Sequence, residues 1–338
     1  MKIVIPMAGY GKRLRPLTWS RPKPLLTLAD KPMLGHVLEM FAALPAIDEV
    51  VFIVGHLGEQ IAEYVAQYHG DLKARFVEQS EPLGQSHAIW LARDKLEGPM
   101  LMIFVDTLIQ ADLSVLAREE AEAVAWVCKV PDPRRFGVAR LGKGDRVSQL
   151  IEKPKDIHEN LAVVGFYYFQ DAERLIAAIA EQMRRKLQLK GEYFLVDAIN
   201  LMLEDGLDMR VENVDAWNDC GTPQAMLETN RYLLENGRDN SDLAAKRENV
   251  EIIPPVYVHS TADVRHVVVG PHVSIGAHCV IEHATIRNSI IEEGCRVVDS
   301  TLSSSLLGRE VDVAGVHHSL ILGDGSQIQL SQPLPGPA

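Results

Sequence analysis

An apolar run, Ile3-Val4-Ile5-Pro6-Met7, leads directly into Ala8-Gly9-Tyr10-Gly11-Lys12-Arg13-Leu14-Arg15-Pro16-Leu17-Thr18. Glycines at the end of a buried strand let backbone N–H groups close around phosphate oxygens, and Lys12 and Arg13 add positive charge there. Further on, Pro22-Lys23-Pro24 sets one cation between two prolines that stiffen the backbone on either side. Residues 1–31 hold Lys2, Lys12, Arg13, Arg15, Arg21, Lys23 and Lys31 against Asp30 alone, in a chain of net charge −12. That local reversal suits a pocket for an anionic small molecule, and equally a solvated basic face. The loop fits neither the G-x-x-x-x-G-K-[ST] spacing nor G-x-G-x-x-G.

These residues need a scaffold. Apolar runs rich in Val, Ile and Phe at 3–7, 50–54, 74–77, 100–105, 124–130 and 163–169 read as buried strands. Helical spacing of apolar residues fills 32–44, 58–68, 84–96 and 113–122 between them, then 171–186 and 193–204. Strand–helix alternation predicts an α/β fold with a mainly parallel sheet covered on both faces. A last helix has Thr222 as N-cap, Pro223 at its first position and Gly237 as its stop.

After Gly237 the texture changes. Val269, Ile275, Ile281, Ile286, Ile291, Val297, Leu302, Leu307 and Val313 recur every five or six positions. Octads beginning at Val268, Ile290 and Leu306 repeat one another. One inward branched residue per hexad is the pattern of a three-sided β-solenoid. The four cysteines are scattered with no C-x-x-C pair, which predicts buried thiols in a reducing compartment. The acidic charge argues against nucleic acid or an acidic membrane as partner. No apolar run is long enough to span a bilayer, and the N-terminal one is too short for a signal peptide, so a cytoplasmic location is expected.

Gly9-x-Gly11-Lys12-Arg13-x-x-Pro16-x-Thr18 followed by Pro22-Lys23-Pro24 resembles the signature of the sugar-1-phosphate nucleotidylyltransferases. The resemblance continues through Gln79, Pro82-Leu83-Gly84, Phe104-Val105-Asp106, Phe136-Gly137-Val138, Glu152-Lys153-Pro154, Val164-Gly165-Phe166 and Trp217-Asn218-Asp219-Cys220-Gly221-Thr222, in order. It departs at Ala8, where many members have Gly, at Lys12 in place of Thr, and at Val105 in place of Gly. These changes blur the nucleotide preference more than the activity. The expected organisation is a Rossmann-like nucleotidyltransferase domain over 1–237, a linker over 238–249, a left-handed parallel β-helix of hexapeptide repeats over 250–331, and a disordered tail over 332–338.

The resemblance implies attack by a sugar-1-phosphate oxygen on the α-phosphorus of a nucleoside triphosphate, with pyrophosphate leaving. Positioning and charge neutralisation carry such a reaction. Arg13 and Lys23 are the expected catalytic cations, and Ala8, Gly9, Gly11, Lys12, Gln79 and Gly84 the nucleotide-binding residues. Gln79 would read the base edge, with Gly84 leaving room for the ring. Gly137, Glu152, Lys153, Gly165 and Glu192 are expected around the sugar phosphate. Asp106 and Asp219 are the expected Mg2+ ligands, since Mg2+ takes few protein carboxylates and fills its shell with phosphate and water.

Thymidine or uridine triphosphate with glucose-1-phosphate is the favoured pair, and guanylyl transfer to mannose-1-phosphate stays open. A bifunctional enzyme with acyl transfer on the solenoid is a rival reading. His259, His266, His272, His278, His283, His317 and His318 lie there, but no lysine follows Lys246. The solenoid is expected to serve assembly of a homo-oligomer and not chemistry.

Overall fold

The computed structural model describes residues 1–44 and 47–330. Packing gathers them into two compact units that do not follow chain order: Met1–Tyr10 with Val37–Trp217, and Gly11–His36 with the chain from Asn218 onward.

The first unit is built on a nine-stranded sheet. Strand β1 (Lys2–Pro6) lies between β2 (Glu49–Val54) and β4 (Met100–Ile103) and runs parallel to both. Strand β3 (Ala74–Glu78) extends the parallel set beyond β2. Every residue of β2 and β4 is buried, as expected of strands covered on both faces. The sheet continues through β5 (Ala123–Lys129), β6 (Gly137–Leu141), β7 (Val147–Glu152), β8 (Leu161–Phe169) and β9 (Met209–Asn213). The spatial order is β7-β6-β8-β4-β1-β2-β3, with β5 on β8 and β9 on β5.

The sheet is more mixed than strand–helix alternation implies. Strand β8 runs antiparallel to β4, β5 and β6, and β6 and β7 form an antiparallel hairpin. In β6, β7 and β9 polar residues interrupt the apolar ones, so none of the three reads as a continuous buried run. The helix expected over 113–122 is a single 3-10 stretch, Leu113–Arg118, started by Asp112, whose carboxylate accepts from Ser114 N at 2.9 Å. Helices Ala172–Arg184 and Leu195–Glu204 do form, and Leu175, Ile179, Leu195, Ala198, Ile199 and Met202 enter the core.

In the second unit the chain winds into a left-handed parallel β-helix of three sheets, with four, five and five short strands. Val256 pairs with Val273, Ser274 with Ile290 and Leu306 with Ile321, so each coil is slightly shorter than three hexads. The nine branched residues picked out by their spacing are all inside, none more than 1% exposed. Left-handed backbone recurs at the corners: His266, His283 and Asp299 stack along one edge, and His272, Asn288 and Ser304 along another. Turn geometry thus accounts for His266, His272 and His283, and His278 is left-handed too.

The segment expected as a linker is a cap. Asp239 Oδ1 accepts from Val256 N at 2.8 Å, Asn240 Oδ1 from Val258 N at 2.9 Å, and Ala244 enters the β-helix core. These contacts satisfy backbone groups on the first coil that no preceding coil reaches. The expected tail over 332–338 lies outside the described residues. Cys220, Cys279 and Cys295 are buried thiols outside any disulfide, and Cys128 is half-buried.

Candidate active site

In the first unit, β1 ends beside the strand-end turn of β2. A Cβ on Gly55 would lie 2.6 Å from Ala8 O, so only glycine lets the two loops touch, whereas Gly9 faces open space. Gln79 follows β3 and is 6% exposed. Its Nε2 donates to Gly84 O at 3.1 Å and stands 3.0 Å from His87 Nδ1. Burial holds the His87 pKa below its usual value, favouring the neutral ring that can accept this bond. Gly84 has φ +98°, and a Cβ there would lie 2.5 Å from Tyr193 O. The atoms that crowd it are therefore backbone, clasped by Tyr193 N to Leu83 O at 2.8 Å and Ser86 N to Tyr193 O at 3.1 Å.

Several residues expected around the sugar phosphate also gather. Gly137 opens β6 opposite Glu152 at the end of β7, and a Cβ on it would lie 3.3 Å from Glu152 Oε2. Lys153 adopts left-handed backbone (φ +48°), places Nζ 3.2 Å from Glu152 Oε1 and 4.6 Å from the centroid of the Phe194 ring. Glu192 is held by a reciprocal backbone pair with Leu189 at 3.0 and 3.1 Å. Burial raises the Glu152 pKa, with Asp197 and Glu192 adding to the effect and Lys153 opposing it. Burial likewise raises Asp197.

Gly165 (φ +83°) sits where the pairing of β8 shifts, and a Cβ would strike Phe104 Cδ2 at 2.6 Å. Phe104 N donates to Gly165 O at 2.9 Å, which fixes the turn carrying Asp106 at the end of β4.

The second unit holds the cations. Gly11 is left-handed (φ +60°), accepts from Thr18 Oγ1 at 3.0 Å, and a Cβ on it would lie 3.3 Å from Lys23 Cβ. Lys12, Arg13 and Leu14 form one 3-10 turn after it. The Arg13 guanidinium and the Asp219 carboxylate both come within 3 Å of the point a Gly221 Cβ would occupy, at 2.8 and 2.9 Å. Gly221 N donates to Asp219 Oδ1 at 3.0 Å, and Thr229 Oγ1 donates to Asp219 O at 3.1 Å. Thr222 caps the next helix, Pro223–Leu233, as its sequence predicts.

Part of the positive charge near the N-terminus has other partners. Lys2 pairs with Glu97 at 3.2 Å, Lys31 with Asp30 at 3.3 Å, and Arg21 with Glu292 at 2.9 Å. Lys12 and Arg13 lie in the 3-10 turn after Gly11, and Lys23 opens the next one.

Residues 2–236 match the family described as Nucleotidyl transferase. The chain belongs to the sugar-1-phosphate nucleotidyltransferases. Glucose-1-phosphate thymidylyltransferase of Streptomyces griseus is 32% identical over 361 residues, covering 98% of this chain and 100% of that one. Bifunctional protein GlmU of Methanocaldococcus jannaschii is 34% identical over 263 residues, covering 78% of this chain and 61% of its own. The solved structure of UDP-glucose pyrophosphorylase with UDP-glucose shares the fold, with TM-score 0.60 at 19% identity over 69% of this chain and 98% of that one.

For this nucleotidyltransferase the structure adds residues to the sequence reading. Phe194 beneath Lys153, Asp197 beside Glu152, His87 on Gln79 and Gly221 between Arg13 and Asp219 were not singled out. Glu192, four residues before Val196, pointed to that stretch, but an aromatic under a lysine leaves no trace in spacing. The raised Glu152 pKa makes a stability prediction. A carboxyl that holds its proton more tightly when folded contributes stability that is complete below its ordinary pKa of 4.5 and lost as pH rises through the raised value. Glu152→Gln is therefore expected to melt above the wild type near pH 8 and to converge with it towards pH 4, read by calorimetry.

Proposed function

We propose that the chain transfers a thymidylyl or uridylyl group from dTTP or UTP to glucose-1-phosphate, releasing pyrophosphate with Mg2+ as cofactor. The observation that carries this reading is the end-to-end match to a glucose-1-phosphate thymidylyltransferase, β-helix included. In the reaction a sugar phosphate oxygen bonds to the α-phosphorus while the bond from that phosphorus to the bridging oxygen breaks. Arg13 offers a fork of donors to the triphosphate, and Lys23 a compact charge to the phosphates that exchange partners. Ala8, Gly9, Gly11 and Lys12 receive the phosphate chain.

Gln79 reads the base through its carbonyl oxygen, because its amide nitrogen is engaged within the loop. Glu152 accepts from sugar hydroxyls, and Lys153, braced on Phe194, holds the sugar phosphate. Gly84, Gly137 and Gly165 keep the loops at their required distance, and Glu192 closes the sugar side.

The donor set suits Mg2+. Asp106 and Asp219 would hold it with two carboxylates, since Mg2+ takes few protein ligands and leaves room in its shell for phosphate and water. When bound, Mg2+ neutralises the triphosphate charge that builds on the leaving pyrophosphate.

The test is pyrophosphate release over a grid of dTTP, UTP, GTP, ATP and CTP against glucose-, mannose- and N-acetylglucosamine-1-phosphate. The highest kcat/KM is expected for dTTP or UTP with glucose-1-phosphate. A maximum at GTP with mannose-1-phosphate would replace this reading with the guanylyl one.

A further inference from the structure

The Lys23 turn is gripped by the β-helix. Lys23, Pro24 and Leu25 form a 3-10 turn, closed by Leu25 N to Pro22 O at 2.9 Å and Leu26 N to Lys23 O at 3.1 Å. Arg21 precedes the turn and Thr27 follows it, and both reach one carboxylate, Glu292. Arg21 NH1 lies 2.9 Å from Glu292 Oε2, and the two side chains are only 4% and 6% exposed. Thr27 N donates to Glu292 Oε1 at 2.8 Å, and Thr27 Oγ1 to Oε2 at 2.7 Å. Arg21 NH2 also donates across the turn to Leu25 O.

More contacts tie the same segment down. Ser20 Oγ donates to Asp324 Oδ2 at 2.7 Å, and Asn230 Oδ1 accepts from Ala29 N at 2.8 Å and from Ser274 Oγ at 2.7 Å. A Cβ on Gly323 would lie 2.9 Å from Pro16 O, so the β-helix lies directly against the segment there. A buried carboxylate with its hydrogen bonds satisfied holds geometry firmly, and losing it leaves a buried guanidinium unpaired.

We propose that Glu292 is a positioning residue for nucleotidyl transfer: by holding both ends of the Pro22-Lys23-Pro24 turn, the β-helix sets the place of Lys23, and through Gly11 that of Arg13. The proposal rests on the assignment of Lys23 to the transferring phosphates. It gives the β-helix a part in the chemistry, where the repeat pattern alone suggested assembly. A cation displaced by about an ångström still binds phosphate but stabilises the transition state poorly, a loss on the order of 10- to 100-fold.

The experiment uses full-length Glu292→Gln, Glu292→Asp and, as control, Glu293→Gln, with steady-state kinetics and amide hydrogen exchange over 20–28. For Glu292→Gln, kcat is expected to fall about 10- to 100-fold with KM for both substrates within about threefold. Thr27 N–H is expected to exchange faster, Glu292→Asp to recover part of kcat because it keeps the charge, and Glu293→Gln to match the wild type. If Glu292→Gln does not fold, the doubly neutral Arg21→Met/Glu292→Leu chain, which leaves no orphaned charge, takes its place with the same expectations. A wild-type kcat in the folded variant, or unchanged exchange over 20–28, would overturn the proposal. A wild-type chain that releases no pyrophosphate on any substrate pair would overturn the substrate assignment instead, and the exchange data would then decide the tether.

Discussion

Replacing Asp106 or Asp219 by Asn is expected to lower pyrophosphate release by about 10²- to 10³-fold, and chelation of divalent cations to stop it. Asn keeps the shape of Asp and still offers Gly221 N an acceptor, so the turn after Cys220 is preserved while the charge is lost. Asp106 lies in the turn that Gly165 holds through Phe104, and a neutral amide there leaves that backbone contact untouched. Both variants are therefore expected to melt close to the wild type, which separates a lost ligand from a lost fold. Raising the Mg2+ concentration should recover part of the activity if a carboxylate ligand has been removed. Full turnover in either folded variant would take that residue out of the metal site.

Lys23→Ala is expected to lower kcat and kcat/KM together, by about 10²- to 10³-fold, with little change in KM. The reason is the geometry around it: the turn is closed by two backbone bonds, braced at both ends by Glu292, and touched at Cβ by the Gly11 loop. A cation fixed this firmly does not relax towards the ground state of the substrate. Lys23→Arg is not expected to restore the rate, because a broad planar guanidinium does not reproduce the compact point charge of an ammonium. A rise in KM with kcat unchanged would make Lys23 a uniform binding residue.

Local patterns were legible and remote partners were not. The β-helix core could be read residue by residue because each coil repeats the same inward position, and burial there depends on spacing alone. The Thr222 cap and the glycine loop were visible for the same reason: each is written within a few consecutive residues. Glu292 was invisible. It stands next to Glu293 in a repeat whose corners are polar, and nothing nearby distinguishes a buried carboxylate from a solvated one. Arg21 misled in the opposite direction, because its charge counted towards an anion pocket when its partner is a carboxylate of the β-helix. The 238–249 segment read as a linker from its polarity, yet the same polar side chains are what cap the first coil. Gly84 was expected to make room for a ring, and the atoms nearest its missing Cβ are those of Tyr193 backbone.

The bonds from Thr27 to Glu292 join residues 265 positions apart. A ribosome adding about 5–20 residues per second delivers Glu292 roughly 13 to 53 s after Thr27. Through that interval the segment that carries Leu14, Leu17, Leu25, Leu26 and Leu28, all buried in the finished protein, lacks its bonds to Glu292 and Asp324. The basic segment around Thr27 is thus synthesised well before the β-helix and waits for Glu292 to acquire these native contacts. A stalled or prematurely ended message would release chains in which the turn at Lys23 has never met Glu292.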